Sequence, residues 1–126
     1  MKSIIAASNA PAALGPYSHA VEANGFVFTS GQLGLDPATG ALGNTVEEQA
    51  KQALANLEQV LLSAGCTKAD VVKTTVFVQD LKDFGAVNGI YGEFFEKEFP
   101  ARSCVQVAKL PAGALVEIEA IAVKHA

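Results

Sequence analysis

Two runs, Val71-Val-Lys-Thr-Thr-Val-Phe-Val78 and Val116-Glu-Ile-Glu-Ala-Ile-Ala-Val123, are apolar or semi-apolar at odd and even positions alike. Their β-branched and aromatic residues suit pleated strands. A strand with one wet face alternates strictly, whereas these two call for cover on both faces. Between them lie two helical patterns. Thr45-Val-Glu-Glu48 reads as a capping box, with Thr45 as the N-cap and Glu48 three positions on. The helix it opens carries Val46, Ala50, Ala53, Leu54, Leu57, Val60, Leu61 and Ala64 on one stripe, and Gly65 closes it. Asp80-Leu-Lys-Asp83 leads into a second helix, where Phe84, Val87, Tyr91 and Phe95 recur at helical spacing.

The remaining segments read as short strands and turns. Ile4-Ile5 makes a first strand, and Asn9 to Pro16 is a loop. Tyr17 to Glu22 and Phe26 to Ser30 read as a hairpin turning at Ala23-Asn24-Gly25. Gly31 to Gly43 is loop, with Asp36-Pro37 and Thr39-Gly40 as turn chemistry. Ser103 to Val107 and Leu115 to Val123 are the last two strands. The order predicts an α+β layer over residues 1–126: one mixed sheet in a single domain, with two helices on one face. Two helices cover only that face, so the other is expected to meet copies of itself in a closed homo-oligomer.

Composition narrows the partners. The net charge of −4 and the absence of any Lys/Arg run argue against a nucleic-acid partner, and no tryptophan is present as a stacking platform. No apolar run reaches the roughly 18 residues of a membrane span, and the opening Met1-Lys-Ser-Ile-Ile-Ala has no signal-peptide apolar region. Two cysteines, Cys66 and Cys104, make no disulfide framework. A cytoplasmic protein without membrane attachment is the expectation.

Against that apolar background, Arg102 and Glu117 stand inside late strands. A desolvated charge costs several kcal/mol unless something pairs with it. Arginine offers a planar donor fork that fits a carboxylate with two parallel hydrogen bonds. A glutamate in an apolar strand is raw material for a proton-transfer group. Together they suggest a small pocket for a carboxylate-bearing metabolite. A structural ion pair at a subunit boundary is the competing reading. Strand alternation sets Arg102, Cys104 and Gln106 on one side and Ser103, Val105 and Val107 on the other. Cys104 reads as an inert cysteine, because a nucleophile needs a base and nothing ties His19 or His125 to it. The histidines and cysteines lack metal-ligand spacing. Gly31-Gln-Leu-Gly34 does not open a helix, which weakens a phosphate reading, although Gly31 permits close approach of a ligand to the backbone. Tyr17 and Ser30 are turn residues or pocket-lining hydroxyls, and exposure is the default reading for Asn88.

These residues assemble into a recognisable pattern. Gly15-Pro-Tyr-Ser18, Thr29-Ser-Gly-Gln32, Val72 to Val78, Asn88, Phe99-Pro-Ala-Arg-Ser-Cys-Val105 and Val116-Glu-Ile-Glu-Ala-Ile-Ala122 resemble the RidA/YjgF family of enamine/imine deaminases. The resemblance covers essentially the whole chain. It implies a chorismate-mutase-like fold, a homotrimer with an inner β-barrel, and sites at subunit clefts. It also implies hydrolysis of 2-aminoacrylate and other 2-imino acids to 2-keto acids and ammonia, with no metal or organic cofactor, because an imine is already electrophilic. By the same resemblance Arg102 binds the substrate carboxylate, the Cys104 backbone contacts the substrate nitrogen, and Glu117 activates water. Tyr17, Ser30, Gly31, Asn88 and Phe84 are counted with the cleft. The alternative it carries is a non-catalytic, metabolite-binding regulatory or chaperone-like trimer, the ribonuclease or translation-inhibitor version being disfavoured by the acidic balance. The chain is shorter than the family pattern between the second helix and Phe99, which bears on the pocket rim.

Overall fold

The computed structural model describes residues 1–125. Seven strands form one mixed sheet: β1 (Ser3–Ile5), β2 (Ala20–Ala23), β3 (Phe26–Thr29), β4 (Gln32–Leu33), β5 (Val71–Val78), β6 (Ala101–Gln106) and β7 (Val116–Val123). Two helices, α1 (Val46–Ser63) and α2 (Phe84–Phe95), complete the α+β architecture. The strands run β1-β2-β3-β7-β5-β6, and β4 also pairs with β7. The last strand is therefore inserted into the middle of the sheet, antiparallel to β3, β4 and β5. β5 and β6 are parallel and joined by α2, while β6 lies at the sheet edge. Among the described residues, no helix is long and apolar enough to cross a membrane.

Local chemistry explains most boundaries. Register pairs Ala23 with Phe26, leaving Asn24-Gly25 as a two-residue turn with φ of 56° and 82°. Both central residues of such a turn need the left-handed region, which asparagine and glycine tolerate best. Strand β2 starts only at Ala20, so Tyr17 belongs to the preceding loop and not to the expected strand. The Thr45 hydroxyl accepts from the Glu48 amide at 3.1 Å, as a cap requires. The reciprocal bond departs from the simple capping box, since the Glu48 carboxylate accepts from Asn44 N–H. Ala64 ends α1, and Gly65 follows with φ of 80°.

The core lies between α1 and the sheet face carrying Val116, Ile118, Ala120 and Ala122, all buried. Leu54, Leu57 and Leu61 supply its largest side chains from the helix. Each contributes about 1.5–3 kcal/mol by leaving water. The expected stripe on α1 also contains two buried polar residues, Gln49 and Asn56. Asn56 donates to the carbonyls of Leu33 and Leu35, and Gln52 donates to its amide oxygen. Gln49 donates to Gly43 C=O and accepts from Leu115 N–H. These bonds fasten the segment from Gly31 to Gly43 onto the helix, and that segment is not all loop. It holds β4 and a bridge between Leu35 and Leu42.

Among the described residues, neither α1 nor α2 packs on the opposite face of the sheet, where the short turn Pro111–Gly113 lies beside Glu117 and Glu119. Phe26 and Phe28 on β3 and Val105 on β6 are exposed there at 42, 44 and 44%. Ile121, Val123 and Phe77 are only half-buried beside them. Val72 sits at a register shift between Val71 and Lys73 and is also exposed.

Candidate active site

The residues singled out in the sequence fall into two groups on opposite faces. Arg102 on β6 is registered with Thr74 on β5, and Thr74 is buried on the helix face. The guanidinium lies 4.8 Å from the Tyr91 ring centroid and 5.4 Å from that of Phe84. Cation–π contact holds the fork over the first turns of α2 without neutralising it. Tyr91 is itself fixed, its hydroxyl 2.6 Å from Thr74 Oγ1. Burial raises the Tyr91 pKa, with the Thr74 hydrogen bond and the Arg102 charge opposing. Asn88 lies four residues after Phe84 and three before Tyr91, so it shares their stripe. It is half-buried, not fully exposed. Among the described residues, Arg102 enters no ion pair.

Cys104 lies on the same face two residues further along, half-buried and unbonded to Cys66. Burial pushes its thiol pKa up, with Arg102 opposing. No histidine serves it. His125 Nε2 is 2.9 Å from Asp70 Oδ1. His19 accepts at Nδ1 from Ala7 N–H and donates from Nε2 to Pro11 C=O, which fixes one tautomer and occupies both nitrogens. The thiol has neither the acidity nor the base that a nucleophile needs.

Glu117 belongs to the other face. Its register partner on β5 is Phe77, one step out of phase with the buried Val76 and Val78. It lines a cavity of about 730 Å³ with Tyr17, Ser30, Gly31 and His19, and neither Arg102 nor Cys104 reaches this space. Burial is the larger cause of its raised pKa, and the neighbouring Glu119 carboxylate adds to it. The bulge that shapes the cavity has a simple origin. Three residues, Thr29 to Gly31, separate the last β3 pair from the first β4 pair, against two on β7. Thr29 Oγ1 fills the broken ladder by accepting from Ala120 N–H at 3.0 Å. Ser30 N–H donates to His19 C=O, and its hydroxyl donates to Ser18 C=O at 2.6 Å. The serine thus ties the Tyr17 loop to the sheet and keeps only acceptor capacity for a ligand.

Gly31 has a more exact reason than close approach of a ligand. A Cβ built there would lie 2.6 Å from Glu117 Oε2 and 2.7 Å from its Cδ. The Glu117 carboxylate rests against the bare glycine backbone.

A single chain therefore does not bring Arg102 and Glu117 together: they project from opposite sides of the sheet, and a site that uses both, as expected at a cleft between subunits, needs two copies of the chain. The separation also removes an ion pair between them within the chain. Sequence reasoning left Glu119, His19 and Thr29 out of the site. The Glu-Ile-Glu alternation was the available signal for Glu119, because residues two apart on a strand share a face.

Comparison with known proteins places this geometry. A family model described as Endoribonuclease L-PSP matches residues 7–124. A RutC family protein of Synechocystis is 57% identical over 124 residues, covering 95% of each chain. The 2-iminobutanoate/2-iminopropanoate deaminase of Salmonella typhimurium is 51% identical, covering 99% of this chain and 100% of its own. The crystal structure of E. coli TdcF with bound serine superposes with a TM-score of 0.94 at 44% identity, covering 98% of this chain and 99% of the other. With the family model spanning nearly every residue that builds both faces of the sheet, the chain belongs to the RidA/YjgF family, the family whose model carries the description Endoribonuclease L-PSP.

Proposed function

We propose that the protein hydrolyses 2-imino acids, and their enamine tautomers such as 2-aminoacrylate, to 2-keto acids and ammonia at a site shared by two copies of the chain. The observation that carries this reading is the separation itself. An arginine without a carboxylate partner among the described residues sits at the sheet edge on one face, and a glutamate whose proton affinity burial raises lines a cavity on the other. The edge strand β6 of one copy can be laid against the bare apolar face of the next. That arrangement sets Arg102 of the first copy opposite Glu117 of the second, and repeated around an axis it closes into a trimer around an inner barrel. Exposed Phe26, Phe28 and Val105 give the association its apolar surface.

In such a site the Arg102 fork holds the substrate carboxylate by two parallel hydrogen bonds. Glu117 accepts a proton from water as the water oxygen bonds to C2 of the protonated imine, giving a neutral carbinolamine. That proton then passes from Glu117 to nitrogen, and as the C–N bond breaks the hydroxyl proton returns to Glu117, so that the carbonyl forms and ammonia leaves. A carboxyl with a raised proton affinity suits both the acceptance and the return. The Cys104 backbone lies two residues from the arginine and completes the substrate-nitrogen contact. General acid–base assistance contributes about 10²- to 10⁴-fold. The Salmonella relative's name supports the reaction class, and the serine in the E. coli TdcF crystal supports a site for a small amino-acid carboxylate.

The test couples an amino-acid dehydratase to release of keto acid. Arg102→Ala and Glu117→Gln are each expected to be inactive. Co-refolded as a 1:1 mixture, they should recover about a quarter of wild-type activity, because each site draws one residue from each of two copies. Equal rates for wild type and Arg102→Ala would remove the deaminase reading. A non-catalytic metabolite-binding trimer is the second reading, favoured only if Glu117→Gln binds keto acid or serine as wild type does and wild type shows no turnover. A ribonuclease is disfavoured, since Glu117 and Glu119 line the same cavity and repel phosphate.

A further inference from the structure

We propose that Glu119 is a positioning residue for the proton chemistry of this cavity, its carboxylate favouring the proton-bearing form of Glu117. The inference rests on the deaminase reading for its role in turnover but stands on geometry of its own. Glu117 and Glu119 project from one face of β7 and both line the cavity. Residues two apart on a strand are separated by about 7 Å. At that distance, and with both residues half-buried, one carboxylate feels the other.

The groups around the pair offer little neutralisation. From the loop before β2, Tyr17 and His19 line the cavity, and both His19 nitrogens are engaged by backbone. From β4 the register partner of Glu117 is Leu33, and the turn at Pro111–Ala112 adds no charge. From β5 the partners are Phe77 and Thr75, and the nearby cation on that face, Lys73, donates to Ser103 Oγ at 3.1 Å. No ion pair to either glutamate is present among the described residues. Burial and the Glu119 charge act in the same direction on Glu117, both favouring its protonated form.

The charge balance of the assembled site gives this a purpose. With substrate bound, three carboxylates (Glu117, Glu119 and the substrate's own) share one arginine. Once Glu117 has taken a proton from water, Glu119 makes that protonated state the less repulsive one. The proton is then held on Glu117 until it passes to the nitrogen.

The experiment follows the Glu117 carboxyl by carbon-13 NMR in glutamate-labelled protein, assigned with Glu117→Gln, alongside the pH profile of kcat/KM. Glu119→Gln should lower the Glu117 titration midpoint, and the acid limb of kcat/KM with it, by roughly 0.5 to 1 pH unit. Glu119→Asp keeps the charge and should leave both near wild type. If the glutamine variant does not assemble, Glu119→Thr, neutral and suited to a strand, repeats the measurement. An unmoved midpoint in the neutral variants overturns the inference even where wild type turns over. A moved midpoint in a wild-type background without turnover upholds the coupling and removes the deaminase reading instead.

Discussion

Replacing Gly31 with alanine separates positioning from stability. The new Cβ would lie 2.6, 2.7 and 2.9 Å from Glu117 Oε2, Cδ and Cγ. Ordinary carbon contacts lie at about 3.5–4.0 Å, so the glutamate must withdraw by close to 1 Å. Its carboxylate can do so, being the far end of a side chain at an open cavity. The backbone has no reason to move, because Gly31 is not among the glycines with positive φ. Alanine at such a position reduces unfolded-state freedom and stabilises by about 0.4–1 kcal/mol. A misplacement of about 1 Å at a reacting group costs on the order of 10²-fold in rate. The expected variant therefore melts at or slightly above wild type while kcat in the coupled keto-acid assay falls about 100-fold. A wild-type kcat, with Glu117→Gln inactive, would show that the glutamate does not act from its place against Gly31. A large drop in Tm would show that the glycine serves the fold instead.

Other perturbations read different parts of the structure. At Gly34 a Cβ would meet the Gln49 carbonyl oxygen at 2.5 Å and carbon at 2.8 Å, atoms of helix backbone that cannot swing aside. Gly34→Ala should cost about 3 kcal/mol or more by denaturant unfolding. Asn56→Leu leaves the Leu33 and Leu35 carbonyls without their donor, and should cost about 2–4 kcal/mol in the same assay. The pH dependence follows from Glu117, whose proton is held more tightly in the folded state than in the unfolded one. Folding then takes up a proton between the ordinary carboxylate range and the raised folded value, so stability falls as pH rises through that window. Glu117→Gln lacks this loss. Its Tm relative to wild type should increase across the window and stay level above it, as scanning calorimetry at stepped pH would show.

Local signals were legible wherever a few adjacent residues decide the outcome. Thr45 and Gly65 bracket α1 because a side-chain acceptor and a left-handed glycine satisfy helix ends by themselves. Asn24-Gly25 turns the hairpin for a similar reason. The two-residue strand β4 was not legible. Flanked by glycines and too short for alternation, it exists because Asn56 and the β7 ladder hold it. The buried Gln49 and Asn56 were likewise hidden, since their partners are backbone groups 6 to 66 positions away.

The kinds of group at the site were readable from the chain alone: a fork-shaped cation and a carboxylate, each set in an apolar strand. Alternation also told which residues share a side within β6 and within β7. What it could not tell was how those two sides relate. That relation is fixed by the parallel register of Thr74 with Arg102 and the antiparallel register of Phe77 with Glu117 across the shared strand β5. Shifting either pairing by one residue would reverse a face. Pairing is a long-range choice made by the packing of α1 and α2 on one side of the sheet, and it put the cation and the acid on opposite faces.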